Sequence, residues 1–280
     1  MRSVGFGRPV GALPTLAILL ASVVVSIGSV AGAPPAAAST ITVSTTADVV
    51  DPNDGVTSLR EAITAANANP GDDTVVLAAG ASYAISLGCA GTATELANAS
   101  GSLDVTDVTG RLTIAGNGAS ITGCSSGSPL QDGVFATAGS SLTLDHVVLH
   151  DAFLGISVRN PLSGSGAASP SIVFADTTAT RLGMSSGGVI DRTSLGRGYP
   201  SPSITFTRSS VDDNGGPVLR AYDRRGSFTV ADSSVSRNVA GVADQAAGDV
   251  TILRSHLDGN GASTQWSVGR FGGSLSITDS

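Results

Sequence analysis

Lysine is absent from this 280-residue chain, and all 15 of its basic side chains other than histidine are arginine. Glutamate is almost absent too: of 22 acidic residues only Glu61 and Glu95 are glutamates, and the rest are aspartates. Lysine and glutamate favour helices and aspartate favours turns, so the bias points away from a helical protein. Aromatic residues make up 4% of the chain, with Trp266 the single tryptophan, which argues against a sugar-stacking platform of exposed rings. Two cysteines are too few for a disulfide framework. A net charge of −7 without a clustered basic footprint argues against nucleic acid as a partner. Beyond residue 38 no apolar run reaches spanning length, so no transmembrane span is expected in the mature chain.

What is present is a repeat. The phrase S-I-T-F-T-R-S-S-V-D-D-N-G-G at 203–216 returns as S-F-T-V-A-D-S-S-V-S-R-N at 227–238 and as D-V-T-I-L-R-S-H-L-D-G-N at 249–260. Looser copies begin at Arg111, Ser141 and Ser171, and a last one begins at Ser274. Numbered from the first apolar residue, the copies start at Leu112, Leu142, Ile172, Ile204, Phe228, Val250 and Leu275, with steps of 22 to 32 residues. Two positions later stand Ile114, Leu144, Phe174, Phe206, Val230, Ile252 and Ile277. This alternation predicts a strand with one face inward. Seven positions after the start, Leu149, Ala179, Val211, Val235 and Leu257 predict a second strand, and Ile156-Ser157-Val158, Val189-Ile190 and Val218-Leu219 suit a third. One such unit cannot bury its apolar side, whereas a stack of units can, and the solution is a parallel β-helix.

The charges fit that register. Four positions after the start lie His146, Asp176, Arg208, Asp232, Arg254 and Asp279, and nine after it Asp151, Arg181, Asp213 and Arg237. Signs alternate from Asp176 onward in the first series and throughout the second, so stacked units place opposite charges over one another. Asn214, Asn238 and Asn260 read as a turn ladder whose amides bond between coils.

Residues 1–38 read as a signal peptide. Arg2 and Arg8 precede an apolar run from Leu13 to Ile27, and Ala36-Ala37-Ala38 fits an A-x-A cleavage rule. Export permits a disulfide between Cys89 and Cys124; two free buried thiols are the alternative. After a strand at Ile41–Ser44, Ser58-Leu59-Arg60-Glu61 forms a capping box that opens a helix over 58–69, ended by Asn69-Pro70-Gly71. Leu59, Ala62, Ile63 and Ala66 share one face, which suits a helix that covers the open end of the stack.

Residues 41–87 resemble the CSLREA domain, an N-terminal module of exported bacterial and archaeal β-helix proteins. The resemblance rests on Ile41-Thr42-Val43, Thr46, Asp48, Asp54-Gly55, Ser58-Leu59-Arg60-Glu61-Ala62-Ile63, Asn67, Gly71-Asp72-Asp73-Thr74-Val75 and Gly80-Ala81-Ser82-Tyr83. Thr57 stands where that family carries a cysteine, so a disulfide pinning the helix is not expected. The later repeats resemble, more loosely, the right-handed β-helix (pectin-lyase-like) superfamily. The resemblance implies export and fold rather than a reaction.

Three polar clusters are candidate sites. Asp212-Asp213 with Arg220, Asp223, Arg224 and Arg225 is the densest, and paired carboxylates with arginine suit glycoside hydrolysis or Ca²⁺-assisted lyase chemistry. The Gly-His-Gly and Arg-x-Lys elements expected of the superfamily's polygalacturonases are missing, and the charge ladder already accounts for Asp213. Asp51, Asn53 and Asp54 offer oxygens to Ca²⁺, although the spacing fits a solvated turn better. His146, His150 and Asp151 offer zinc ligands on a segment that reads as strand rather than helix.

The expectation is therefore an all-β protein, a right-handed parallel β-helix with an N-terminal capping α-helix: a capping module over 39–87 and coils over 88–280. The copy at Ser274 breaks off at Ser280 and reads as an incomplete last coil of a truncated product. A non-enzymatic stalk, adhesin or carbohydrate-contacting surface is the first functional expectation. An enzyme acting on acidic polysaccharide, with extracellular polymer or a cell surface as partner, is the alternative.

Overall fold

The computed structural model describes residues 37–89, 96–124, 133–159, 169–183, 188–192, 202–220, 226–244, 248–261 and 274–280. The chain winds as a right-handed parallel β-helix of three sheets with nine, seven and six strands. The first sheet stacks Thr40–Thr42, Asp73–Val76, Arg111–Ala115, Ser141–Asp145, Ser171–Ala175, Ser203–Thr207, Ser227–Ala231, Asp249–Leu253 and Leu275–Thr278. Each turn then supplies a strand to the second sheet, from Ser82–Ala84 to His256–Asp258. It next supplies one to the third sheet, from Leu103–Val105 to Ala243–Asp244.

The apolar columns follow from register. Asp73, Leu112, Leu142, Ile172, Ile204, Phe228, Val250 and Leu275 are successive partners in the first sheet. Tyr83, Ile121, Leu149, Ala179, Val211, Val235 and Leu257 are partners in the second. Ile204, Phe228 and Val250 all lie in one buried core, as the repeat predicts. Within it the Phe174 and Phe206 rings stack with centroids 4.5 Å apart, and the coil carrying Phe174 has the small Ala179 in its second strand. Ile121 escapes the sequence pattern because Asn117-Gly118 lengthens the bend before it.

From Ser141 onward the first-to-second crossing is short and constant. Its bend residues His146, Asp176, Arg208, Asp232 and Arg254 all have φ between 46° and 52°. This left-handed conformation turns the chain within one residue. Each bend residue still donates its N–H to the next coil, as Asp176 does to Thr207 O at 3.0 Å and Arg208 to Ala231 O at 3.1 Å. Thr177, Ser209, Ser233, Ser255 and Ser280 follow the bends. In this series the N–H of each residue donates to the hydroxyl of the next, at 3.0–3.2 Å. Each hydroxyl donates to the carbonyl two residues earlier in its own chain. Sequence reasoning missed this hydroxyl ladder, although its signal, a Ser or Thr five positions after each start from Ile172 onward, is plain in the repeat.

The helix spans Leu59–Ala68 with the full capping box of Ser58 and Glu61. Leu59, Ala62, Ile63 and Ala66 join the core. Arg60, on the same helix, is buried too, and its guanidinium grips Asp48 at 2.8 and 3.0 Å while donating to the carbonyls of Ser102 and Gly101. Asp48 also accepts the N–H groups of Ser86 and Leu87, each at 2.8 Å. Burial pushes the Asp48 carboxyl up, but the Arg60 guanidinium and the two N–H groups outweigh it and hold it below the ordinary range. The pair therefore ties the loop before the helix, the helix and the first turn into one knot. Cys89 and Cys124, joined as a disulfide with Cα atoms 5.4 Å apart, staple the segments that leave the second-sheet strands of the first two turns. No helix among the described residues is long and apolar enough to cross a membrane.

Removing one partner of a buried, bonded ion pair costs about 3–5 kcal/mol. Arg60→Ala is therefore expected to lower the urea-denaturation stability by that amount at pH 7. A loss no larger than that of a surface substitution would show that the knot does not hold the cap.

Candidate functional site

The structure separates the residues of the densest polar cluster. Asp212 ends a second-sheet strand, Asp213 sits on the next bend, and Arg220 ends the third-sheet strand Leu219–Arg220. Asp223, Arg224 and Arg225 lie outside the described residues. Asp212 is fully engaged: one oxygen accepts the N–H of Ser236 at 2.8 Å and its hydroxyl, and the other accepts the hydroxyl of Ser210. Asp213 accepts a two-pronged bond from Arg237, both contacts at 2.7 Å.

That pair belongs to a pattern. Arg181 grips Asp151 at 2.6 and 2.7 Å, Arg208 grips Asp176 at 2.8 and 2.6 Å, and Arg254 grips Asp232 at 2.6 and 2.7 Å. The planar guanidinium fork matches both carboxylate oxygens of the residue one coil earlier. The two rails run along the edges of the second sheet. Hydrogen bonds from the paired arginines hold the carboxyls of Asp151, Asp176, Asp213 and Asp232 below the ordinary range. His150 adds to this at Asp151, its Nδ1 lying 2.6 Å from the carboxylate.

The other candidates are also local. Asp51 accepts from the N–H of Asn53 at 3.1 Å, and Asp54 from that of Val56 at 2.9 Å, so both carboxylates cap their own turn. The N–H of Asp51 donates to Glu61, tying the loop to the helix. His146 meets Asp145 at 2.8 Å, and with Asp176 the two place ligand atoms within 4.8 Å of one another. Arg208 already occupies both oxygens of Asp176, so a cation there would meet a like charge. The three asparagines form the predicted ladder. The Asn214 amide donates to Asn238 Oδ1 at 2.7 Å, and the Asn238 amide donates to Asn260 Oδ1 at 2.8 Å and to Val211 O at 2.8 Å.

One row, polar at all but one position, lies apart from the bends. Asp104, Ala136, Ser157, Asp191, Arg220 and Asp244 are successive register partners along the third sheet. Asp104, Ala136 and Ser157 are buried, and Asp191 and Arg220 are partly so. Asp104 accepts the Ser102 hydroxyl at 2.8 Å and faces Arg159 at 3.5 Å. The spacing between strands varies from turn to turn on both sides of this sheet, and is constant at seven residues between first- and second-sheet strands from Ser141 onward. The third sheet is thus bordered by the variable connections, where sites on a rigid scaffold collect. Among the described residues the partly exposed members of this row, Asp191 and Arg220, are the candidate functional surface. Sequence reasoning reached only Arg220 of the row, because the other members are isolated residues in stretches without a common spacing.

Leaving a buried amide partner unsatisfied costs about 1–3 kcal/mol per group. Asn238→Ala is expected to cost at least that in a denaturant titration, and Asp213→Asn, at a solvent-exposed rail pair, clearly less. The reverse order would overturn the assignment of the ladder as the stronger device. The depressed rail carboxylates stabilise the fold above the unfolded aspartate pKa of about 3.9. That contribution is lost as pH falls through their lower folded values, so thermal midpoints should drop on acidification below about pH 4.

Comparison with family models, with curated proteins and with solved structures finds no match to this chain, so its functional reading rests on the geometry of the coils.

Proposed function

We propose that the chain is a non-enzymatic secreted or cell-surface β-helix, a stiff stalk, adhesin or carbohydrate-contacting element. One observation carries the reading: two of the carboxylates that sequence analysis singled out for catalysis, Asp212 and Asp213, are consumed by bonds from Ser236 and Arg237 of the next coil, and Asp212 also by Ser210 of its own strand. A carboxylate held ionised by an arginine fork, as Asp213 is, makes a poor proton acceptor at neutral pH. Export is supported by the charged and apolar pattern of residues 1–38 and by the Cys89–Cys124 bridge, which suits an oxidising compartment. We read residues 41–87 as a module of CSLREA type. Asp48, Ser58, Arg60 and Glu61, which carry that resemblance, are the residues whose bonds build the cap.

A second reading has its own support. The row through Asp191 and Arg220 places a carboxylate and a guanidinium as register partners beside the variable connections. That is the kind of place where a polysaccharide lyase or glycoside hydrolase would bind an acidic polymer.

Incubation of the purified chain with pectate and alginate, with and without Ca²⁺, is expected to yield no unsaturated product by ultraviolet absorbance. Turnover abolished by Asp212→Asn would overturn the first reading at the residue on which it stands. Turnover abolished by Asp191→Asn or Arg220→Ala, but not by Asp212→Asn, would establish the second.

A further inference from the structure

Asp73 occupies an unusual place for a carboxylate. It stands at the head of an apolar column of the first sheet, directly before Leu112, and every later member of that column, down to Leu275, is apolar. Only 3% of its surface is exposed. A buried carboxylate is costly unless a positive charge and hydrogen bonds meet it. Two other carboxylates shielded from solvent have such partners: Asp48 faces Arg60, and Asp104 faces Arg159. Among the described residues Asp73 faces no cation. Its bonds come from three neutral donors, all to Oδ1: the Ser39 N–H at 2.8 Å, the Ser39 hydroxyl at 2.6 Å and the Asn69 amide at 2.7 Å.

Ser39 is also where the chain changes character. It follows Ala36-Ala37-Ala38, and the charged and apolar pattern before it is that of an export signal. Ala37 and Ala38 are exposed, and Ser39 is partly buried. From Ser39 on, the backbone belongs to the fold: the Ser39 carbonyl accepts the N–H of Thr74 at 2.8 Å, and Thr40 pairs with Thr74 in the first sheet. Hydrolysis of the Ala38–Ser39 bond adds water across the amide. The C–N bond breaks, Ala38 leaves as a carboxylate, and the Ser39 nitrogen takes up a proton to become an ammonium. An α-amino group has a pKa of about 7.7–8.0, so the charged form dominates at neutral pH, and a carboxylate in contact favours it further. The nitrogen that lies 2.8 Å from Asp73 then carries the missing positive charge.

No other bond beside the alanine run has this result. Each residue of extended chain spans about 3.3–3.6 Å, so cleavage one residue earlier leaves the amine on Ala38, out of reach of the carboxylate. Cleavage one residue later removes Ser39 with both of its bonds to Asp73. Cleavage after Ala38 forfeits one contact, the bond from the Asn69 amide to Ala37 O at 3.0 Å, at an exposed position. It also sets a positive charge beside Asn69, the C-cap of the helix, whose last turn has no basic residue. A cation near a helix C-terminus is favourable.

We propose that removal of residues 1–38 by an export-linked peptidase creates a Ser39 ammonium that pairs with Asp73 and completes the N-terminal cap. The mature chain thereby gains an ion pair that its precursor lacks, at the point where the strands Thr40–Thr42 and Asp73–Val76 meet the end of the helix. The inference rests on the reading of residues 1–38 as an export signal.

The absence of lysine supplies the test, because the terminal amine is the only primary amine in the chain. The full chain is expressed in an exporting bacterium, and the recovered protein is sequenced from its N-terminus. It is then treated at neutral pH with isotopically labelled acetic anhydride, native and in urea, and acetylation of the terminal peptide is followed by mass spectrometry. Only the unprotonated amine reacts. The terminus is expected at Ser39, and the native amine is expected to react roughly tenfold or more slowly than the unfolded one. Asp73→Asn should remove most of that protection, whereas Asp72→Asn, at the exposed neighbouring carboxylate, should leave it in place. If Asp73→Asn does not fold, the ratio of native to unfolded rates in the parent chain decides. A Ser39 terminus with equal native and unfolded rates overturns the ion pair and leaves the export reading intact. Protection that persists in folded Asp73→Asn overturns the ion pair as well. A terminus at another residue overturns the cleavage site, and retention of Met1 overturns the export reading together with the proposal.

Discussion

Every coil lies over the one before it without a shift in register, and that constraint governs the rest of the molecule. Once main-chain bonds fix the offset between turns, a side chain meets its own counterpart about 4.8 Å above and below. A residue type is then acceptable only if it tolerates its own kind as a neighbour. Apolar residues do, and they fill the interior from Val75 to Ile252. A buried amide does if each copy donates to the next, as Asn214, Asn238 and Asn260 do. A hydroxyl does if it accepts from the next coil and donates within its own, as at Ser209 and Ser233. A charge does not, so charges must alternate in sign, and they do.

The same constraint favours arginine over lysine at the rails. A rail pair has to span one coil and fix two side chains on a bend whose backbone is already in an unfavourable left-handed conformation, as at Arg208 and Arg237. A guanidinium does this by laying two parallel N–H groups on one carboxylate, which restrains both partners. An ammonium is a single point charge on a longer search and offers no such restraint. Aspartate rather than glutamate fits the other half of the pair. Its short side chain tolerates the left-handed bend and leaves the carboxylate within reach of the coil that follows. The compositional bias that first pointed away from helices is therefore also a requirement of the corners.

How much of this could be read from the sequence depends on where insertions fall. From Ser141 onward the first and second strands of each turn start seven residues apart, so Ile204, Val211, Asp213 and Asn214 could be placed in columns before any coordinates. In the earlier turns Asn117-Gly118 adds to the bend, and Ile121 and Tyr83 drop out of the pattern although they share the second-sheet column. The third sheet lies between two connections of changing length. Leu103, Phe135 and the buried Arg192 therefore carry no periodic signal, and Asp104 gives no hint that it stands in one row with Asp191. Proximity in sequence misled as well. Asp212 and Arg220 are eight residues apart, but the chain turns a corner between them and sets them on different sheets. The left-handed bends were equally hidden, since nothing in an isolated arginine announces a positive φ; only the stack that repeats the bend makes it tolerable.

This division has a consequence for where function can reside. The corners and the asparagine ladder are committed to stacking, and a side chain there cannot change its partner without loosening two coils at once. Two surfaces lie outside those ladders. The third-sheet row is bordered by connections whose length varies freely, so its surroundings can differ in each turn while the coil geometry stays fixed. The outer face of the first sheet has the opposite character: its central column holds threonine at most turns, and its regularity repeats the stacking itself. A varied surface suits recognition of one molecule with a particular shape, and a periodic one suits a partner that is itself periodic. From Ser141 onward the scaffold thus separates a variable surface from a periodic one by confining insertions to two of its three crossings.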